Sequence, residues 1–553
     1  MIRARTPGPR RWGVAAGAAA LLVAALIPLT TTTARADDGS ECGKEDLTTA
    51  AKLVPCIRTA DLWKHMVNLQ KIADANPGPD GHASRNSGEP GYKASADYVA
   101  AAMKAAGYNV TIQTYPFDYF SFVGKPAFKQ VTQTAKDFVL DTDFSAGQAA
   151  GTTTAAVQPA GGIMIPPGAT PSSSSSGCTA ADFTGFVPGR SALVQRGTCT
   201  FGTKALNAQA AGASGVVVFN EGQVGRDGVF SGSLVDANGD PAVLHIPVLF
   251  VPFDLGKGLV AGYQQAPTAP PTVAIDVKAV QKAGAPDYNV IAESKGGDPN
   301  HVVVVDAHLD AIFGAGMLDN ASGSVAILDI AQQLAKTKPR NKLRFIWFGG
   351  EELGLLGSNF YVNNLAPAEL AKIGYDLDAD VLATPNYVAG VLDPEGVELF
   401  GRGPGTPMPA SITAPSRVAR DYGVAYLDSI GKKHLFFSAD GTDAFVFEQA
   451  GIPASGVLTG QDCCKTTEDV ALFGGTTGNF EGNLGTSDGG CVDNPFRWCD
   501  NLSNNDPKVL TFMSKAFATM VVKMAFDTTV LTRTGQGHKP EKGPHHARGK
   551  DDD

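Results

Sequence analysis

The 553-residue sequence has no surplus of basic residues, no regular glycine repeat and few cysteines. Its 45 Lys and Arg stand against 55 Asp and Glu, so no excess positive charge is available for phosphates and nucleic acid is not expected as a partner. The glycines follow no triplet period, which excludes a collagen-like chain. No cysteines have the C-x-x-C spacing typical of zinc–thiolate sites. At 43% hydrophobic residues, the chain is not mainly disordered, and its length suggests two or more domains.

The first 36 residues have the pattern of a secretory signal peptide. Four arginines precede an apolar run from Val14 to Leu29, and Ala34-Arg35-Ala36 forms a small-x-small cleavage site. The apolar run is too short and too rich in Ala and Gly to favour a membrane anchor, and no later segment looks transmembrane. The sequence therefore predicts a secreted, extracellular protein without a membrane partner after residues 1–36 are removed.

The eight cysteines fit an exported protein, because disulfides persist outside the cytosol. They fall into three groups, and pairing within a group is the economical interpretation. This predicts Cys42–Cys56 and Cys178–Cys199. The connectivity of the third group stays open; its members are Cys463, Cys464, Cys491 and Cys499.

The order of predicted elements indicates one domain inserted into another. Helix and strand patterns alternate between about 59 and 122 and again from about 283, which favours an α/β fold with a mostly parallel mixed sheet flanked by helices. The block between them is rich in short Val/Ile runs, Gly, Thr and Pro and is expected to be β-rich. We expect a discontinuous domain over 37–125 and 283–530, an inserted domain over 126–282, and a disordered tail over 531–553.

A first group of polar residues follows the predicted strand Val302–Val305. Ligands gather at the carboxyl ends of parallel strands, so His308 would lie at the sheet edge, and Asp310 could orient its ring. Asp319 stands in a loop just before the next predicted helix, a good position for a carboxylate bound to metal. An Asp at that position is also commonly a helix cap, and taken alone the cap would be the better interpretation.

Two further groups of acids follow neighbouring predicted strands. Glu351 and Glu352 come directly after Leu343–Phe348, where two adjacent carboxylates are costly to bury unless cations compensate them. One of the pair could then bind metal while the other acts as a general base. The alternative is a solvated helix N-terminus that favours acids. Asp380 ends an acid-rich strand that begins near Tyr375. Each feature is weak alone, and together at successive strand ends they are a strong signal.

These residues resemble the motifs of the M28 zinc aminopeptidases, especially the secreted bacterial ones. The resemblance rests on His308-x-Asp310, Asp319-Asn-Ala-Ser-Gly, Gly350-Glu351-Glu352-x-Gly-x-x-Gly-Ser and Asp380-x-x-Ala-Thr-Pro-Asn. It continues at Asn86-Ser-Gly-Glu-Pro-Gly-Tyr92 and from Thr442-Asp443 to Ala454, and covers most of 59–125 and 283–530. The resemblance implies a zinc-exopeptidase fold.

It also implies roles for the site residues. His308 and Asp380 would hold one zinc, Asp319 would bridge two zinc ions, and Glu352 would hold the other. Glu351 would be the general base for a water activated by the metal, and Asp310 would support His308. Up to two zinc ions are therefore the expected cofactors.

One departure from the family concerns the second zinc. The family normally supplies a last ligand as the His of Cys-Tyr-His-x-x-Cys-Asp, but the stretch from Cys491 to Asp500 is three residues longer and contains no His. Asp493 could substitute as an oxygen ligand. Alternatively, His434 or a histidine of the tail could reach the second zinc site and act as the ligand, or that site could be empty.

The inserted block resembles the protease-associated (PA) domain. The stretches from Val187 to Lys204 and from Asn207 to Asn220 match its core pattern, a strand, a turn, a helix and a strand. In that family the domain has no chemistry of its own and is thought to shape substrate access; a plain spacer is the other interpretation.

The resemblance favours a secreted metalloexopeptidase that removes residues from the N-termini of peptides or proteins, with a monomer favoured. Close variants are a carboxypeptidase or dipeptidase, and a single-zinc glutaminyl cyclase ranks below them. The alternative of a different class is a catalytically impaired protein that retains the fold and binds peptides or a partner. The absence of the usual last His ligand is the observation that supports this alternative.

Overall fold

The structure is a computed structural model that describes residues 42–43, 47–239, 241–312, 314–396, 405–460, 465–478, 480 and 500–529. Four features predicted from the sequence lie outside these residues: the signal peptide, the tail, the third cysteine group and Asp493. The other two cysteine groups pair as predicted. Cys42 is bonded to Cys56 and Cys178 to Cys199.

The described residues form twelve α-helices. In chain order they are α1 Ala50–Leu53, α2 Thr59–Ala75, α3 Pro90–Ala106, α4 Phe201–Ala210, α5 Phe253–Gln265, α6 Ser322–Leu334, α7 Leu356–Asn364, α8 Pro367–Leu370, α9 Ala410–Ser429, α10 Ala444–Gln449, α11 Thr467–Phe473 and α12 Pro507–Phe526.

The same residues form sixteen strands. They are β1 Asn109–Phe122, β2 Ala127–Gln130, β3 Lys136–Phe138, β4 Ser145–Ala146, β5 Gly151–Pro159, β6 Ser191–Gln195, β7 Gly215–Phe219, β8 Val248–Val251, β9 Thr272–Val277, β10 Ala279–Glu293, β11 Asp298–His308, β12 Asn341–Phe348, β13 Ile373–Ala379, β14 Gly390–Leu392, β15 Leu435–Phe437 and β16 Ala454–Leu458.

The first sheet has the order β1-β10-β12-β11-β13-β16-β14-β15. Its centre is parallel, since β11 pairs in parallel with both β12 and β13, and β13 with β16. The pairs β1–β10, β10–β12 and β14–β16 are antiparallel. The predicted mostly parallel mixed sheet is therefore confirmed.

Two apolar cores cover the faces of this sheet. Successive residues of a strand point to opposite faces, so Val303 and Val305 of β11 join one buried cluster and Val302 and Val304 join the other. The larger cluster packs under α2, α3, α6 and α12. Helices on both faces bury the central strands of this sheet.

The second sheet contains only strands that lie between Ala127 and Val277, in the order β3-β2-β9-β5-β6-β7-β8-β4. It has its own buried clusters, to which α4 and α5 contribute. The chain enters this part from β1 and leaves it into β10, and those two strands pair with each other over almost their whole length. The β-rich block is thus inserted between neighbouring strands of the first sheet.

Helix α12 is long and apolar enough to cross a membrane by composition. However, 72% of its apolar stretch is buried within the protein, and its residues Leu510, Phe517 and Val521 belong to the main core. Among the described residues, α12 is therefore a core helix.

One predicted helix boundary was wrong. The alternation of strand, loop and helix patterns after residue 283 predicts a helix over Leu353–Leu365, but α7 begins only at Leu356. The residues before it have positive φ angles, 99° at Gly354 and 59° at Leu355, which no right-handed helix accommodates. Glu351 and Glu352 therefore lie in a turn and not at the N-terminus of a helix.

Candidate active site

The ends of three adjacent parallel strands bring the predicted site residues together. His308 is the last residue of β11 and lies opposite Phe348, the last residue of β12. The chain after β12 carries Glu351, and Asp380 directly follows β13 on the other side of β11. Because parallel strands end at one edge of the sheet, chemistry separated along the sequence converges there.

Three side chains form a compact group at this edge. One ligand atom each from His308, Asp319 and Asp380 lies within 4.8 Å of the other two, and all three residues are buried. The Nε2 atom of His308 is 3.0 Å from Oδ1 of Asp319 and 3.3 Å from Oδ1 of Asp380. Among the residues that the structure describes, no other group of His, Cys, Asp and Glu meets this criterion.

The arrangement fits a zinc ion. Nitrogen and oxygen ligands about 2.0–2.2 Å from a tetrahedral zinc lie about 3.3 Å from one another, close to the distances around His308. A single proton on Nε2 cannot satisfy two carboxylates at once, whereas a cation between them would interact with all three side chains. The donor set of one imidazole and two carboxylates is one that zinc accepts.

The two acids after β12 lie beside this group. Oε2 of Glu351 is 3.8 Å from Nε2 of His308, and the side chain of Glu351 is almost completely buried. Glu352 is partly buried, and its charge is one of those that raise the pKa of Glu351. The three-residue group does not include Glu352.

Asp310 contacts both sides of the site. Its Oδ1 lies 3.5 Å from Nδ1 of His308, at the outer limit of a hydrogen bond, and accepts the backbone N–H of Glu351 at 3.3 Å. Asp310 is completely buried. One carboxylate therefore links the histidine to the turn that carries the adjacent acids.

Asp319 does not cap α6. It lies in the segment Met317–Ala321 before the helix, where the backbone angles of Asp319 (φ -114°, ψ 98°) are not helical, and its carboxylate is directed to His308. The neighbouring Asn320 makes the local contacts instead: its Oδ1 accepts the N–H of Gly323 at 2.7 Å and of Val381 at 3.1 Å. Its Nδ2 donates to the carbonyl of Ala379 at 2.9 Å. Asn320 thus ties the Asp319 turn to the strand end that carries Asp380.

Burial and like charges shift the pKa values of the site in the metal-free protein. At Glu351, burial is the largest cause of a strongly raised pKa. Burial opposes a charge on His308, but the surrounding carboxylates, Glu351 foremost, outweigh it and raise the pKa of His308 well above its usual value. Such a concentration of negative charge favours bound cations.

Sequence reasoning missed three residues that hold this site. Asp500 accepts backbone N–H groups from Leu318 and Asp319, and the buried Arg85 and Ser87 contact the site loops from the segment before α3. Ser87 and Asp500 stand inside the stretches that resemble family motifs, and Arg85 directly precedes one of them. Their contacts span more than 180 residues, so no local pattern could indicate them.

Another candidate, His434, lies elsewhere. Its Nδ1 is 3.5 Å from Oδ1 of Asp428, and its ring packs against Phe436. His434 is not a member of the group around His308.

Comparisons with known proteins identify the families to which the two parts of the chain are similar. The profile of peptidase family M28 matches residues 289–520, and that of the PA domain matches residues 161–259. An aminopeptidase of Pseudomonas aeruginosa is 35% identical over 492 residues, which are 88% of this chain and 84% of that protein. A probable leucine aminopeptidase 2 of Aspergillus fumigatus is 32% identical over 381 residues, 67% of this chain and 70% of that protein.

Solved structures share the fold at low sequence identity. An aminopeptidase from Aneurinibacillus sp. strain AM-1 superimposes with a TM-score of 0.59 at 20% identity, covering 88% of this chain and 99% of that chain. BSAP, a zinc aminopeptidase from Bacillus subtilis, has a TM-score of 0.53 at 21% identity, covering 84% and 95%. The fold class and the resemblance that the motifs indicated are both confirmed, and the chain belongs to peptidase family M28, with an inserted PA domain.

Proposed function

We propose that the protein is a secreted, zinc-dependent aminopeptidase that hydrolyses N-terminal residues from peptides. The observation that carries the proposal is the buried group of His308, Asp319 and Asp380, with a carboxylate oxygen of Glu351 3.8 Å from the histidine. The relatives named aminopeptidase support the same reaction. The fungal relatives named leucine aminopeptidase make leucine the first N-terminal residue to test.

The site residues would have the roles that the family motifs imply. His308 and Asp380 would hold one zinc, Glu352 would hold a second, and Asp319 would be shared between them. Zinc, when bound, supplies Lewis-acid chemistry, which lowers the pKa of water so that a base can convert it to a nucleophile near neutral pH. Glu351 accepts the proton of that water and passes it to the leaving amine. Asp310 fixes the ring of His308 and the backbone of Glu351.

The charge of the site supports two cations. The guanidinium of Arg85 places one buried positive charge among six carboxylates that line the site or contact its loops. These are Asp310, Asp319, Glu351, Glu352, Asp380 and Asp500. Buried carboxylates in such excess are costly without cations. Asp493 remains our candidate for the missing fifth ligand, although it lies outside the described residues. If it is a ligand, Asp493→Ala lowers the zinc content from two ions per chain to one.

Export agrees with the two disulfides, since such bonds persist outside the cytosol. We propose that residues 1–36 are a signal peptide and that the mature protein is a monomer. We also propose the domain limits 37–125 with 283–530 for the peptidase and 126–282 for the PA domain.

The first experiment is hydrolysis of aminoacyl-p-nitroanilides by the mature protein, with chelator and zinc add-back. We expect release that the chelator abolishes and zinc restores, together with no release from N-acetyl-leucyl-p-nitroanilide, whose amine is blocked. Cleavage of the blocked substrate would argue against an aminopeptidase.

The second candidate is a catalytically impaired, peptide-binding member of the family, which the missing His favours. If folded, zinc-loaded protein releases nothing from any free-amine substrate, the aminopeptidase proposal is wrong and this candidate is favoured.

A further inference from the structure

The short segment Arg85–Ser87, between α2 and α3, contacts two loops of the candidate site at once. One is the loop that runs from His308 to Asp319, and the other is the turn that carries Glu351. All three consecutive residues make such contacts, across 224 or more positions of sequence.

Arg85 holds the first loop by its backbone and its side chain. Its fully buried guanidinium donates to the carbonyls of Leu309 and Ala315, each at 2.6 Å, and to that of Gly316. Its N–H donates to the carbonyl of Gly314 at 2.8 Å. Burial lowers the pKa of Arg85 to about 10, so the side chain is charged at neutral pH. Arg85 thus holds the loop at its start, at Leu309, and in its second half, from Gly314 to Gly316.

Asn86 adds a contact to the same loop. Its Oδ1 accepts the N–H of Gly314 at 2.9 Å. Asn86 also forms an isolated parallel bridge with Ala311. The loop that separates Asp310 from Asp319 is therefore anchored to the segment, not only to its own strand.

Ser87 holds the turn that carries Glu351. Its Oγ accepts the N–H of Gly350 at 2.8 Å, and Gly350 directly precedes Glu351 with a φ of 63°, an angle that suits glycine. The hydroxyl of Ser87 helps to lower the pKa of the nearby carboxylate of Asp287, whose Oδ2 accepts the hydroxyl of Tyr115 at 2.9 Å. Ser87 is buried, so its orientation is fixed by these partners.

We propose that the Arg85–Ser87 segment sets the distance between the general base and the metal ligands, and that Ser87 is a positioning residue for Glu351. The inference rests on the proposed function. A base must lie within hydrogen-bond reach of the proton it takes, and small displacements of catalytic groups reduce rates strongly. Loss of the Ser87 hydroxyl frees the backbone of Gly350 and leaves His308, Asp319 and Asp380, which lie on other segments, in place.

The test compares Ser87→Ala with the unchanged mature protein on leucyl-p-nitroanilide. We expect kcat to fall about tenfold, the effect of one lost hydrogen bond, with KM within about twofold and the zinc content unchanged. Ser87→Thr keeps the hydroxyl and is expected to retain most of kcat. The matched control is Ser95→Ala, which removes another buried hydroxyl, bonded to Gly91 on α3, and is expected to leave kcat unchanged.

A second arm does not depend on turnover. Arg85→Lys keeps the charge but cannot reach three carbonyls, so we expect zinc affinity, measured by chelator competition, to weaken about tenfold. An unchanged affinity would remove Arg85 from the proposal.

The outcomes separate the two proposals. If the unchanged protein is active and Ser87→Ala is equally fast, only the positioning role is overturned. A lower kcat that zinc loss explains, or Ser87→Thr as slow as Ser87→Ala, would also overturn it. If the unchanged protein itself cleaves no substrate, the proposed function fails and the positioning role fails with it.

Discussion

The carboxylate of Asp500 holds the backbone of Asp319, its partner 181 residues earlier in the chain. Oδ2 of Asp500 accepts the N–H of Asp319 at 2.9 Å, and Oδ1 accepts the N–H of Leu318 at 2.7 Å. Both residues are buried. The orientation of the Asp319 carboxylate toward His308 therefore depends on a side chain that is not one of the three in the group around His308.

Asp500→Asn is expected to weaken zinc binding about tenfold or more, because the amide keeps one acceptor oxygen and places an NH2 group against the other backbone N–H. Chelator competition on the purified protein measures the change. Asp506→Asn is the matched control, since Asp506 caps α12 and Asn caps helices equally well. Equal zinc affinity in both variants would contradict the role assigned to Asp500.

Glu351→Gln is expected to reduce kcat by about 10²–10⁴ while the bound zinc stays in place. The amide occupies the volume of the carboxylate but cannot accept the proton of the water. Steady-state kinetics and metal analysis of one protein sample check both parts. Substantial turnover by the zinc-loaded variant would show that another group serves as the base.

His308→Ala is expected to lower zinc content and activity together, because it removes the nitrogen ligand of the group. His301→Ala is the control on the same strand: His301 lies at the opposite end of β11, with Nδ1 3.3 Å from Asp298. Metal analysis should separate the two variants. A zinc content in His308→Ala equal to that of His301→Ala would rule out His308 as a ligand.

Asp329 on α6 is expected to make stability fall as pH rises. Burial raises its pKa from 3.8 to about 7, so the folded state binds a proton that the unfolded state has lost between about pH 4 and pH 7. Asp329→Asn removes this penalty, and its gain in the free energy of unfolding should be about 2 kcal/mol larger at pH 8 than at pH 5.

Urea denaturation at both pH values, in the presence of zinc, measures the effect. Asp74→Asn on α2 is the control, since Asp74 is exposed and should respond equally at both pH values. A pH-independent gain for Asp329→Asn would contradict the expectation.

The sequence predicts which residues lie together at the sheet edge because two of the proposed ligands, His308 and Asp380, come at the ends of buried strands. β11 and β12 are apolar runs, and the polar residues that end them stand out. The alternation of apolar and polar residues from Tyr108 to Tyr115 predicts the first part of β1 and ends before Pro116. β1 continues to Phe122 because it lies at the edge of the sheet, where a proline breaks no ladder on its open side.

The supports of the site were not predictable in the same way. Arg85, Ser87 and Asp500 form hydrogen bonds with backbone groups. Every residue type except proline has both backbone groups, so the partner positions cannot be recognised from their side chains. Their partners lie 181–263 positions away, so neither periodicity nor spacing relates the two. The start of α7 was mispredicted for a local reason, because hydrophobic spacing does not report the positive φ of Leu355.

The pairing of β1 with β10 has a consequence for the history of the chain. Phe122 lies opposite Ala279, and the N–H of Val123 donates to the carbonyl of Lys278 at 2.7 Å, so the insertion leaves and rejoins the peptidase sheet one strand spacing apart. In topological terms the PA domain is an enlarged hairpin loop. A single insertion, exchange or deletion at this point of the gene would therefore add, replace or remove the domain without changing the order of the other strands.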